Sequence, residues 1–199
     1  MTIISDDAYV RLFQERFGLE PVDGWAGPDT IAMLDSLKPP TVDPVDASGI
    51  PDSYWPMLSK IESGDQPYVQ APSSSASGLY QFIRSTWIGE GGKWGPTLRP
   101  AFGGLKPSPE EQLARARTFT AKNAAYLRSR GVPINRATLY AAHFLGPVTA
   151  GSILAAGKGE RADLIAGAAA TAANPSILKG KTVGDFIEWL RVKTGEVAK

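Results

Sequence analysis

Residues 53–64 read SYWPMLSKIESG and predict a helix that carries one acidic side chain at its end. Apolar side chains recur at helical spacing, at Trp55, Leu58 and Ile61. Gly64 is a typical residue at a helix C-terminus, so Glu62 falls in the last turn. A carboxylate in that position faces the negative end of the helix dipole, which disfavours ionisation and raises its pKa. A raised pKa is what a general acid requires.

A second segment, Gly78-Leu79-Tyr80-Gln81, follows Glu62 at close range and joins a glycine to a side-chain amide. Glycine allows the backbone to approach a ligand closely, although a plain turn glycine is the alternative at Gly78. An acidic group at a helix end with an amide nearby suits cleavage of a glycan by a single carboxylate. Apolar walls for a dry site are predicted at Tyr80, Phe82 and Trp87.

These segments resemble those of the lytic transglycosylases in the goose-type lysozyme superfamily. In that family a catalytic Glu followed by Ser precedes a Gly-Leu-Met-Gln block and an Ala-Tyr-Asn segment. The third segment here is Ala142-His143-Phe144-Leu145-Gly146, with His143 at the Tyr position and Phe144 at the Asn position. The run 139–146 and the tail 173–190 look like the phage-encoded versions. The resemblance implies a mainly α, lysozyme-like catalytic domain over residues 51–199.

The resemblance also implies a mechanism for peptidoglycan glycan strands. Glu62 would first protonate the glycosidic oxygen of the β-1,4 bond between N-acetylmuramic acid (MurNAc) and N-acetylglucosamine (GlcNAc). As a carboxylate it would then accept a proton from the muramic C6 hydroxyl, which leaves 1,6-anhydro-MurNAc ends. No cofactor or metal is implied. Substrate contacts are expected from Ser63, Gly78, Tyr80, Gln81, His143 and Phe144, with a proton-carrying role for His143 left open.

Two other functions remain open from the residues. Hydrolytic glycosidases ordinarily use two carboxylates, and Asp65 is the one candidate close to Glu62 for the second role. A hydrolytic muramidase on the same fold is therefore the first alternative. Because His143 and Phe144 depart from the usual motif, a non-enzymatic wall-binding or virion-structural protein is the other.

The N-terminal residues 1–38 predict a small helical module. Ser5 can cap a helix that ends at Gly18, and Pro28 suits the first position of a second helix. The stretch between them, DGWAGPDT at residues 23–30, resembles a small three-helix peptidoglycan-binding module. It implies wall contacts by Asp23, Gly24, Trp25 and Gly27. The chain reaches Pro39-Pro40 before a last helix, so a packing appendage is the alternative. The Pro-rich, acidic segment 39–50 is predicted to be a linker.

The remaining sequence predicts helices and no alternating strand. Ser108 opens a long helix that ends near Arg130, and further helices are predicted over 136–145, 147–156, 161–173 and 182–193. The Ala-rich run 164–173 is too short to span a bilayer and is predicted to be a buried helix. Of the tryptophans, only Trp94, in a Gly-rich loop, is expected to be exposed.

Composition limits the kinds of metal site and of binding partner that the chain can have. The chain has 199 residues, 43% of them hydrophobic, one histidine and no cysteine, so neither a disulfide nor a thiolate metal site is possible. Residues 1–50 carry three basic and nine acidic side chains, net −6, and the rest carry 18 against 11, net +7. A basic body suits an anionic polymer, but aromatic interleaving for nucleic acid is missing.

The N-terminus lacks a basic leader and a long apolar stretch, which argues against a secretory signal. We expect a monomer without stable membrane insertion that acts at the bacterial cell wall. Together with the phage-like segments, this predicts an endolysin released by a holin or a virion-associated enzyme. A secreted antibacterial toxin remains an alternative.

Overall fold

The computed structural model describes residues 5–37 and 45–198, and these residues are mainly helical. Strand pairing within these ranges is limited to isolated bridges, so the predicted mainly α class is confirmed. The chain divides into two compact units, Met1–Val42 and Asp43–Lys199. Across the described ranges, none of the helices combines the length and apolar character that a membrane span requires.

The first unit contains helices α1 (Asp6–Phe17) and α2 (Pro28–Leu37). Helix α1 ends at Gly18, whose φ of 63° places it in the left-handed region that favours glycine. Pro28 occupies the first position of α2, where its missing N–H costs no hydrogen bond. Both boundaries agree with the sequence prediction.

One buried amide organises the loop between α1 and α2. The two hydrogens of Gln14 Nε2 are shared among three acceptors, Asp23 Oδ1 at 3.1 Å, the Trp25 carbonyl at 3.0 Å and Thr30 Oγ1 at 3.2 Å. Its Oε1 accepts from the backbone N–H of Gly24 at 3.0 Å. Because a buried amide is costly unless it is paired, these four bonds fix the loop conformation.

The described part of the second unit contains eight α-helices of widely different length. They are α3 (Tyr54–Ser63), α4 (Arg84–Gly89), α5 (Pro109–Ser129), α6 (Arg136–Leu145), α7 (Pro147–Ala155), α8 (Ala162–Ala173), α9 (Pro175–Leu178) and α10 (Val183–Thr194). A short 3-10 turn at Ala101–Gly104 precedes α5. The helix starts follow from their caps. The side chain of Ser108 accepts from the N–H of Glu111, and both α6 and α10 begin with capping boxes.

The core of the second unit collects apolar side chains from α3, α4, α5, α6, α7 and α10. Its largest fully buried members include Trp87, Tyr54, Phe102, Phe186, Leu127 and Leu139.

Ile50 is also fully buried. The carboxylate of Asp46 accepts from the backbone N–H groups of Ser48 and Ile50, at 2.8 and 3.1 Å. The part of the predicted linker from residue 45 to 50 therefore packs with the second unit, while residues 39–44 lie outside the described ranges.

The sequence predicted that the helix over this alanine-rich run, α8, is buried. That prediction is wrong. Ala162 is its only buried residue, and Leu164 is 74% exposed. Gly167 has φ 82° and ψ 167°, a conformation that interrupts the helix at its middle. The side chains of α8 at Ile165, Ala166 and Ala170 pack against the core but are only partly buried, so composition alone overstated the burial of the helix.

The prediction for the tryptophans is also wrong. Trp94 is half-buried. The centroid of its ring lies 5.9 Å from that of the Phe102 ring, and its Nε1 donates to the Thr97 carbonyl at 3.3 Å. Trp25 in the first unit is 67% exposed instead. A Gly-rich neighbourhood permits close packing of a ring as readily as exposure, and here it permits packing.

Candidate active site

A cleft of about 630 Å³ opens in the second unit beside the end of α3. Its polar lining comes from Glu62, Gln81, Thr86 and His143, and its apolar lining includes Phe82, Phe119 and Phe144. Glu62 is the single carboxylate among the described residues that line the cleft. The cleft therefore combines one acidic group with largely apolar walls, as substrate sites commonly do.

Helix α3 ends so that Glu62 points into this cleft from its last turn. Gly64 follows with φ 60° and terminates the helix. Only 18% of the Glu62 side chain is exposed, and burial raises its pKa to about 7. A hydrogen bond from Tyr140 and the charge of Lys193 act in the opposite direction. The direction agrees with the sequence prediction, but its main cause is desolvation and not the helix dipole.

His143, on α6, faces Glu62 across the cleft. Its Nε2 lies 3.9 Å from Oε1 of Glu62, and 9% of its side chain is exposed. Burial lowers the pKa of His143 to about 4, with the backbone of Tyr80 opposing that effect, so the imidazole is neutral near pH 7. The rings of Phe82 and Phe119 meet it edge to face, with centroids at 6.1 and 6.0 Å.

Gln81 reaches the cleft through an unusual backbone conformation. Its φ is 47°, in the left-handed region that non-glycine residues rarely adopt. Its Nε2 donates to the carbonyl of Gly78 at 2.9 Å and lies 3.4 Å from that of Val69. The amide nitrogen thus closes the loop that carries it, while the side chain lines the cleft.

Three of the residues predicted to contact substrate lie outside the cleft lining. The hydroxyl of Ser63 is buried and donates to the Ser59 carbonyl of its own helix at 3.0 Å. Tyr80 is 5% exposed and belongs to the core, as does Trp87. Gly78 is buried with φ 78°, and a Cβ there would meet Gln112 Oε1 at 2.3 Å. None of the three therefore lines the cleft, although Gly78 and Tyr80 belong to the loop that carries Gln81.

Gln112, on α5, is the anchor of that loop. Its side chain is 1% exposed, and its Oε1 accepts from the N–H of Leu79 at 2.8 Å. Its Nε2 donates to the carbonyls of Pro67 and Pro107, at 3.0 and 3.1 Å. One amide therefore ties the segment after α3 and the segment before α5 to the same point.

Asp65, the predicted candidate for a second carboxylate, is engaged elsewhere. Its Oδ1 accepts a hydrogen bond from the Ser59 hydroxyl, and its Oδ2 lies 3.5 Å from Nζ of Lys60. It is not among the residues that line the cleft. The structure thus separates the two acidic groups that lie close together in sequence.

Sequence reasoning missed two residues that act on Glu62. Tyr140 lies three positions before His143 on α6, and burial beside Glu62 raises the pKa of its hydroxyl. That spacing places both side chains on one helix face, a signal that could have identified Tyr140. Lys193 comes from α10, and no local pattern indicated its approach.

The residues of the predicted wall-binding motif have two distinct roles in the first unit. Asp23 and Gly24 bond internally, to Trp25 N–H at 2.9 Å and to Gln14. The Trp25 ring rests against Gly27, where a Cβ would come within 2.5 Å of the ring. Three of the four residues therefore shape the loop, and Trp25 presents an exposed ring beside a small cleft of about 80 Å³.

Among the residues described, no three His, Cys, Asp or Glu side chains gather as metal ligands would. Comparison of the sequence with models of known protein families and with curated proteins gives no significant match.

Proposed function

We propose that the second unit is a peptidoglycan lytic transglycosylase with Glu62 as its general acid and then its general base. The observation that carries this proposal is a single carboxylate in a largely apolar cleft, with a pKa of about 7. A group that must give and then take a proton works best when its pKa lies near the operating pH.

The proposed reaction uses one proton carrier twice. Protonated Glu62 donates to the glycosidic oxygen between MurNAc and GlcNAc as the bond from that oxygen to C1 breaks. The muramic O6 then bonds to C1, and its proton passes to the Glu62 carboxylate. This restores the acid and leaves a 1,6-anhydro-MurNAc end, with no water consumed.

The position of Asp65 favours this chemistry over hydrolysis. A retaining hydrolase needs a second carboxyl group as nucleophile, and an inverting one needs it as a base for water. Asp65 is held by Ser59 and Lys60 and does not line the cleft. An internal hydroxyl as nucleophile removes the need for that second group.

For the first unit we propose attachment to the cell wall, carried by the exposed ring of Trp25. Aromatic rings with one open face are suited to packing on sugars. The resemblance to phage segments supports a role as an endolysin or virion-associated muralytic enzyme.

Mass spectrometry of muropeptides released from sacculi tests the proposed reaction. We expect anhydro ends, each one water lighter than the hydrolytic product, and substantial activity in a folded Asp65→Asn variant. Reducing ends from the unaltered protein, with an inactive Asp65→Asn variant, would identify a two-carboxylate muramidase instead. A folded protein that releases no fragments would leave only a binding or structural role.

A further inference from the structure

We propose that His143 is a positioning residue that holds the attacking hydroxyl against Glu62 and thereby favours an internal hydroxyl over water. This inference rests on the proposed function, since it assigns a partner to the muramic C6 hydroxyl in that reaction. It concerns the choice of nucleophile, whereas the proposed function concerns the proton carrier.

The separation of the two side chains suits one shared oxygen atom. Nε2 of His143 and Oε1 of Glu62 are 3.9 Å apart, which is too long for a direct hydrogen bond. A single oxygen can lie about 2.8 Å from both atoms and form a good hydrogen bond with each. Both side chains line the cleft, so a substrate hydroxyl can reach that point.

The donor and acceptor properties of the pair match an attacking hydroxyl. At the second step Glu62 is a carboxylate and can only accept, so the hydroxyl must donate its proton toward it. The hydroxyl oxygen can then accept from an N–H. His143 supplies that N–H in the tautomer that carries its proton on Nε2; Nδ1 makes no hydrogen bond of good geometry within the described part of the chain, although the backbone of Tyr80 lies near enough to the ring to favour its protonated form.

The surroundings hold both groups in place. Phe82 and Phe119 meet the imidazole at interplanar angles of 65° and 89°, which restricts rotation of the ring. Tyr140 hydrogen-bonds to Glu62 from the same helix that carries His143. Preorganised groups of this kind raise the rate because the reacting atoms need little rearrangement.

The step balances without a further reactant. The leaving GlcNAc oxygen takes the proton of Glu62, the muramic O6 forms its bond to C1, and the O6 proton passes to Glu62. His143 keeps its own proton throughout. If the hydrogen bond from His143 is lost, O6 is no longer held at the point of attack, and water can compete for C1.

The experiment compares His143→Gln with His143→Asn. The Gln amide nitrogen reaches about as far as Nε2, whereas the shorter Asn amide falls short of Glu62 by about one methylene. We expect His143→Gln to keep mainly anhydro products. We expect His143→Asn to lose roughly tenfold or more in kcat, with KM within about threefold, and to release a larger fraction of reducing ends.

Each outcome decides the matter. Equal anhydro fractions and equal kcat in the two folded variants would overturn the role of His143 and leave the transglycosylase function standing. Reducing ends from the unaltered protein would overturn both. As a second measurement, His143→Phe keeps a ring in the aromatic cage without a donor, so an anhydro fraction like that of the unaltered protein would also refute the inference. Circular dichroism confirms folding of each variant before products are compared.

Discussion

His143 Nε2 lies 3.9 Å from Glu62 Oε1, and burial prevents these two groups from forming the ion pair that they would form in water. An ordinary Glu is ionised and an ordinary His is protonated near pH 5.5. In the cleft the pKa of Glu62 is about 7 and that of His143 about 4. Near pH 5.5 the pair therefore holds one proton in water and also in the cleft. In water the proton resides on the histidine, whereas in the folded protein it resides on Glu62. Glu62 is therefore protonated, as a general acid must be, and neither side chain of the pair carries a charge.

Replacement of Glu62 by Gln should remove turnover while the fold and glycan binding remain. The amide can neither donate to the leaving oxygen nor accept from the muramic hydroxyl, so we expect a loss of several orders of magnitude in kcat. Turbidity loss of sacculi and binding to them measure the two properties separately. Glu188→Gln on the exposed side of α10 is the control and should stay active. A folded Glu62→Gln variant within about tenfold of full activity would contradict the assignment.

The same variant should be more stable than the unaltered protein at alkaline pH. Because the folded pKa of Glu62 is raised from 4.5 to about 7, its favourable contribution is full below pH 4.5 and is lost as the pH rises through 7. We expect the stability difference to grow from near zero at pH 4 to on the order of 3 kcal/mol at pH 8. Urea unfolding at pH 4, 6 and 8 measures it. A difference that does not change with pH would show that Glu62 titrates normally.

Removal of the charge at Lys193 should shift the pH dependence of cleavage. Lys193 favours the ionised form of Glu62, so Lys193→Met should raise the pKa of Glu62 further. The alkaline limb of kcat/KM should then move to higher pH, and high salt should reduce the difference between the two proteins. Lys193→Arg should keep the original limb, and Lys179→Met, at an exposed lysine after α9, should have no effect. An unchanged alkaline limb in Lys193→Met would show that the charge of Lys193 does not affect the pKa of Glu62.

Two shortened chains should separate stability from wall attachment. A chain that begins at Val45 keeps Asp46 and Ile50, so we expect it to cleave soluble glycan fragments at close to the full rate. A chain that begins at Pro51 loses the buried Ile50 side chain and should be less stable by about 1.5–3 kcal/mol. Thermal unfolding compares the two. Equal stability would mean that Ile50 contributes little to the core.

On intact sacculi the chain that begins at Val45 should act more slowly than the full chain, because a linked binding unit raises the local concentration. Trp25→Ala in the full chain should reproduce that slower rate without affecting soluble fragments. Tyr9→Ala, at an exposed aromatic residue of α1, is the matched control. Full activity of Trp25→Ala on sacculi would refute the wall-binding role of this ring.

Gly78→Ala should destabilise the fold. A left-handed conformation costs a non-glycine residue about 1–2 kcal/mol, and the added Cβ would also collide with Gln112 and Phe102. We expect unfolding at clearly lower urea concentration. If the variant were as stable as the original but inactive, Gly78 would serve substrate binding directly.

Most of the helices could be predicted because their signals are local, whereas the short helices α4 and α9 were not predicted. The range 136–145 was predicted to the residue, and in the structure Asn135 caps its start and Gly146 its end. Glu62 and the cleft positions of Gln81, His143 and Phe144 were also accessible, because short motifs carry them. Burial of α8 was not predictable from composition, because it depends on where the alanine face points.

The remaining parts of the site depend on contacts between distant segments. Nothing near Ser63 or Gly78 reveals that one bonds to its own helix and the other packs on Gln112. Tyr140 and Lys193 reach Glu62 only after α6 and α10 have packed. Periodicity and capping describe single helices, so they cannot indicate which side chains converge from several.

The anchoring of the cleft loop by Gln112 has a consequence for biosynthesis. The ribosome completes Glu62 and the segment 65–82 before it adds Gln112, on which the backbone of that segment depends. His143 follows later still. A nascent chain therefore carries its acidic residue for much of translation without a cleft around it. We expect the pKa of Glu62 to remain near that of an ordinary glutamate until α5 and α6 have left the exit tunnel.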